Sequence, residues 1–160
     1  MLRMKVKVVG IDQNTMVPVV VITDSDEKGF IPIVIGPPEA QAITLALEGS
    51  RPPRPLTHDL MKNLLETLGA KVERVVISEL REETYYARIY LKTKDGQVDV
   101  DARPSDAIAL ALRTDAPIFI SEEVAAKALI ASKPIDDEEM EEFRRFLDKL
   151  TPEDFQKHLQ

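Results

Sequence analysis

The chain contains no cysteine. That excludes a disulfide framework, a cysteine nucleophile and a thiolate zinc site, and it suits a reducing cytosol. No apolar run approaches the ~20 residues of a membrane span. The opening residues, MLRMKVKVVGID, hold neither a long apolar core nor a small-residue cleavage site. A soluble protein of the cytoplasm with no membrane partner is expected. An excess of positive charge is also missing. The formal net charge is −7, which argues against a generic basic coat for nucleic acid. The charge is unevenly spread: residues 134–160 carry nine acids and four bases, and residues 1–133 carry 19 and 17. A near-neutral body is followed by an acidic tail. Histidine is scarce, and His58 is the only one outside that tail.

What is present fits one compact domain. At 160 residues, folding buries roughly 70% of the unfolded surface, so no metal or disulfide staple is needed. Lys5 to Val8 alternates and Val17 to Ile22 is β-branched, with turn residues Asp12 to Thr15 between them, which predicts a hairpin. Phe30 to Ile35 is a short apolar strand that Pro32 pushes toward a sheet edge. Lys71–Leu80 and Thr84–Lys92 form a second hairpin. Lys94-Asp95-Gly96 turns the chain into a returning strand, Gln97–Asp101. Pro117–Ile120 is one more short strand.

Helices are inserted between these strands. Pro38–Glu48 is apolar nearly all round, which predicts burial on most sides, and Gly49 stops it. Thr57 is expected to cap a helix that runs to Leu68, with Leu60, Leu64, Leu65 and Leu68 on its apolar face. Pro104 opens a helix to Arg113, and Ser121 caps another. A phrase repeats at an offset of 65: AITLAL at 42–47 and AIALAL at 107–112. Strands in hairpins with helices between them indicate an α+β fold with a largely antiparallel or mixed sheet. The domain is expected over 1–133. The tail, 134–160, should carry a charged helix from Asp136 to Leu150, with Met140, Phe143, Phe146, Leu147 and Leu150 on one face.

The polar residues that could do chemistry cluster at helix starts. Asp99 and Asp101 share one face of a strand about 6.7 Å apart, and Asp106 follows in the next helix. Such carboxylates can share a divalent cation such as magnesium or manganese. Glu39, Asp59 and Asp106 each sit in a helical first turn, where the helix dipole alone also accounts for them. If the three starts converge beside Arg54, His58 and Arg103, the arginines could hold phosphate. His58 could then serve as a base or a ligand, or remain an ordinary surface residue. Ser105 fits a capping role. Tyr85, Tyr86, Arg88 and Tyr90 could stack bases, or simply pack the sheet.

IGPPEAQAITLALEG, RPLTHDLMKNLLETLGAKVERVVI, TYYARIYL and DARPSDAIALALRTDAPIFI closely resemble the bifunctional nuclease family, known for cleaving both DNA and RNA. The resemblance runs over about residues 3–132. It implies a compact α+β domain, a homodimer, DNA and RNA as substrates, and metal-assisted phosphodiester hydrolysis. Among the matching residues, Asp101 and Asp106 are expected to hold the magnesium or manganese ion, with Glu39 and Asp59 completing the catalytic set. His58 is expected to act as base or leaving-group acid, and Arg54 and Arg103 to grip phosphate. The competing expectation is a non-catalytic homodimeric scaffold or regulator whose polar motifs are structural caps.

Overall fold

The computed structural model describes residues 1–129 together with Arg145. The expected tail helix and its apolar stripe lie outside these described residues. The body is an α+β fold built on a seven-stranded mixed sheet. Strand β1 (Leu2–Ile11) pairs antiparallel with β2 (Pro18–Asp24), which pairs antiparallel with β3 (Phe30–Val34). Strand β4 (Lys71–Arg81), β5 (Thr84–Thr93) and β6 (Gly96–Ala102) form a second antiparallel run. Between the two runs lies β7 (Ile118–Ile120), antiparallel to β1 and parallel to β4. The order is β3-β2-β1-β7-β4-β5-β6, so β3 is an edge strand, as Pro32 requires, and β6 is the other edge. A three-residue strand thus holds the centre, because Ile118 and Ile120 fill the core between the two runs.

Four helices are described: α1 (Pro37–Leu47), α2 (Thr57–Thr67), α3 (Pro104–Thr114) and α4 (Glu122–Ala128). The first and third are started by proline, whose missing N–H costs nothing in a first turn. Gly49 and Gly69, both at positive φ, stop α1 and α2. The central helix is α3. Its residues Ala107 to Ala111 are all buried and pack with Ile43 and the inward side chains of β1, β2, β4, β5 and β7 in one core. The Ser121 hydroxyl accepts from Val124 N–H and caps α4, as its sequence indicates.

Several expectations need correction. The repeated phrase is not buried equally. Ile43 and Thr44 of AITLAL are buried, but Leu47 is 45% exposed. The helix starts, Pro37 and Pro104, are 67 residues apart, whereas the phrase repeats at 65. The phrase positions Ile43-Thr44 and Ile108-Ala109 are buried in both helices, but α3 is also covered on its other sides, whereas α1 leaves Leu47 to solvent. Thr57 does not cap α2: the N-cap is Leu56, and Thr57 begins the helix proper. Ser105 is no cap either, since Arg103 holds that position and Ser105 is buried one residue past Pro104. The leucine face of α2 does not turn inward. Leu60, Leu64 and Leu68 are exposed, and Met61 and Leu65 make the contact with the core.

Candidate functional site

Glu39, Asp59 and Asp106 occupy the same place, the third residue of α1, α2 and α3. From there a carboxylate reaches back over the open end of its own helix. Asp59 Oδ2 accepts the Leu56 N–H at 3.0 Å. Asp106 Oδ2 accepts from Arg103 Nε at 3.0 Å. Glu39 curls back over Gly36 and fills the space a Cβ there would need. Gly36 is thus required by the pose of Glu39 rather than by its own backbone angles.

Packing of the helices on α3 joins these local devices across the chain. His58 Nε2 lies 2.9 Å from Asp106 Oδ1, and the imidazole is almost fully buried. Nδ1 has no hydrogen-bond partner among the described residues, and it is the ring nitrogen free to face the cleft. Arg103 NH2 binds Glu39 Oε1 at 2.6 Å and Asp106 Oδ2 at 2.9 Å. Glu39 first, and Asp106 with it, push the Arg103 pKa above its ordinary value. The guanidinium is otherwise largely open to solvent.

These residues line a cleft of about 880 Å³ between α1, α2, the start of α3 and the end of β6. His58, Glu39, Arg103 and Asp106 gather at one end, and Leu45, Leu56, Met61 and Val100 form much of the rest. Asp101 contributes to the rim. It pairs in register with Arg88, whose side chain binds Asp99 at 2.7 Å. Strand alternation therefore places the Asp101 and Asp99 side chains on the sheet face away from α2. Arg54 is exposed and does not line the cleft, although Pro55 to His58 do. Asp59 does not line it either. Its Oδ1 accepts from Arg113 Nε at 2.9 Å. Partial desolvation raises the Asp59 pKa, but the Leu56 N–H and the Arg113 guanidinium together outweigh it and hold the pKa below the ordinary value.

Arg113 escaped the sequence reading because it lies at the far end of α3. Its guanidinium donates to Asp59 of α2, to the Ala42 carbonyl of α1 at 2.9 Å, and to Ala109 O of its own helix. One nearly buried cation therefore pins the three helices whose first turns carry Glu39, His58 and Asp106. The only hint in the sequence is a basic residue closing an otherwise apolar helix.

The donor set does not fit a divalent cation in this arrangement. Among the described residues no three carboxylate or imidazole side chains converge as metal ligands. Both oxygens of Asp106 are engaged, and Arg103 already neutralises Glu39 and Asp106. Two tyrosines of β5 serve the opposite sheet face, where Arg74 stacks over Tyr90 and Arg81 over Tyr86, while Tyr85 packs against the core.

Residues 20–133 match the family model of the bifunctional nuclease domain. The chain belongs to that family. An uncharacterized protein of Mycobacterium tuberculosis is 40% identical over 162 residues, which covers 94% of this chain and 97% of the relative. Bifunctional nuclease 1 of Oryza sativa subsp. indica is 32% identical over 99 residues, and Bifunctional nuclease 2 of Arabidopsis thaliana is 28% identical over 110. These matches cover 60% and 66% of this chain but only 30% and 33% of the plant proteins. Membership supports a nuclease-type function in general, with nucleic acid as the substrate class. Among the described residues no helix is long and apolar enough to cross a membrane.

Proposed function

We propose that the bifunctional nuclease domain in this chain hydrolyses phosphodiester bonds of DNA and RNA at the His58 end of the cleft. The observation that carries this reading is the His58–Asp106 pair, buried beside a solvent-facing Arg103. Asp106 fixes the ring through Nε2. Nδ1 is then the atom that takes a proton from an attacking water, or from the 2′-hydroxyl of RNA, and returns one to the leaving oxygen. Arg103, held in place by two carboxylates, faces the phosphate with its remaining donors. Arg54 stands outside the cleft where a longer strand would pass. The magnesium or manganese ion that the resemblance assigns to Asp101 and Asp106 has no part in this reading, because Arg103 and His58 occupy Asp106 and the Asp101 side chain lies on the other sheet face. A cytoplasmic homodimer belongs to the same reading, and the cysteine-free composition suits that compartment.

The test is digestion of plasmid DNA and single-stranded RNA by the full chain, its His58→Ala variant and its Arg103→Ala variant, each with and without chelator. Loss of cleavage in both variants supports the reading. Equal cleavage by all three proteins sinks it. Cleavage that resists chelation would assign neutralisation of the phosphate to Arg103 alone.

A second reading has its own observation. Glu39, Asp59 and Asp106 are each already satisfied by a partner within the chain, as ties in a non-catalytic scaffold would be. That reading gains if purified protein binds nucleic acid or a protein partner without turnover.

A further inference from the structure

Eleven large apolar side chains are exposed among the described residues, and six of them lie on two neighbouring elements. Leu56, Leu60, Leu64 and Leu68 come from α2 and the two residues that cap its ends; Val98 and Val100 come from the edge strand β6. Between α2 and the sheet runs an apolar wedge of about 230 Å³ lined by Met61, Leu64, Leu65, Leu68, Val100 and Leu110, among others. The stripe carries no charge. Lys62 and Glu66 lie across the helix from it and line a different hollow, while the neighbouring positions on its outer flank are Asn63 and Thr67. Phosphate would find no cation here, so this is not part of the nucleic-acid path.

We propose that this α2–β6 face is the interface with a second copy of this chain, packed α2 against α2 about a two-fold axis at Leu64. Two observations select that occupant. The first is area. Six side chains exposed to this degree offer on the order of 500 Å² of apolar surface, about the apolar share of the ~800 Å² per partner in a standard interface. A monomer's largest exposed patch is usually ~300–600 Å² and is often functional. The second is self-complementarity. Leucines spaced by four along one stripe match their own antiparallel copy: an axis at Leu64 sets Leu60 against the partner's Leu68, and a two-fold interface requires such a patch.

The interface would also finish the cleft. Leu56, Leu60, Met61 and Val100 line the cleft as well as this face. A second copy seated on α2 closes the side of the cleft that is open in one chain.

The absence of cysteine makes the test direct. The full chain is measured by sedimentation and light scattering across concentration. Wild type is expected at twice the 18.0 kDa chain mass. Leu64→Glu sets two like charges at the axis and should weaken association by about 100-fold or more, since such juxtapositions cost several kcal/mol. Leu68→Glu changes a side chain that is 78% exposed, so its fold is safe, and it should also give monomers. Leu64→Cys should form a covalent dimer on mild oxidation, under conditions where Lys28→Cys on the far edge does not. A wild type that stays monomeric at high concentration overturns the proposal. So does a dimer that survives both glutamates, or a Leu64→Cys chain that links no faster than Lys28→Cys. None of these readouts depends on cleavage, so the interface can fail while the nuclease reading stands, and the reverse.

Discussion

Arg113 Nε lies 2.9 Å from Asp59 Oδ1, although 54 residues separate them. The pair sets the angle at which α2 leaves its N-cap, because the other oxygen of Asp59 holds the Leu56 N–H. His58 is the residue between that cap and Asp59, so the pair also places the imidazole. Arg113→Met should cost about 2–4 kcal/mol, since it strands a carboxylate and two carbonyls. Arg113→Lys should recover only part of that, because an ammonium cannot reproduce the planar fork. Urea titration of the three proteins checks the order.

The acid sensitivity of that pair has a definite sign. The folded-state pKa of Asp59 is lowered. Its contribution is therefore fully present above the unfolded carboxylate pKa and is lost as pH falls through the folded value. Asp59→Asn should lower stability at pH 7 and flatten the acid limb of the stability curve. Urea midpoints at pH 7 and pH 3 provide the comparison; an unchanged difference between them in the variant would refute the assignment.

At the His58 end, loss of a positioned acid–base group typically removes 10²–10⁴-fold of rate. His58→Ala should fall in that range on both DNA and RNA. Asp106→Asn keeps the shape but removes the charge that binds both His58 and Arg103. It should therefore lower kcat, through the lost hold on His58, and raise KM, through the lost hold on Arg103. Unchanged kinetic constants with a lowered melting temperature would make Asp106 a structural tie.

Gly36→Ala adds one methyl group where the Glu39 carboxylate lies. The backbone there is ordinary for any residue, so stability should change by no more than about 1 kcal/mol. Arg103 should lose Glu39 and move. The expected readout is weaker substrate binding, seen as a raised KM, with a melting temperature near wild type.

Leu110 is essentially inaccessible in the middle of α3. Leu110→Asp should cost about 4 kcal/mol or more as an unpaired buried charge. A circular dichroism melt matching wild type would contradict the central place of this helix.

The amino-acid sequence by itself determined the elements whose causes are local. Turn residues between β-branched runs made the hairpins, Pro32 marked an edge strand, prolines opened α1 and α3, and glycines closed α1 and α2. Carboxylates in the first turns of three helices were legible for the same reason, since a side chain three residues in can reach back to its own helix end. The tertiary structure alone decided what met across the chain. His58 found Asp106 at 48 residues' separation and Arg103 found Glu39 at 64, and no local pattern selects such partners. Periodicity showed that α2 has a leucine stripe but not which way it turns. That depended on Met61 and Leu65, one position round the helix, fitting α3 and the sheet better. Asp101 shared a face with Asp99 as its spacing required, yet sheet pairing with Arg88 put that face away from His58. The repeated phrase at 42 and 107 turned the same two positions inward in both helices, Ile43-Thr44 and Ile108-Ala109. The rest of it is buried in α3, which other elements surround, and partly exposed in α1, because burial belongs to the packing and not to the phrase.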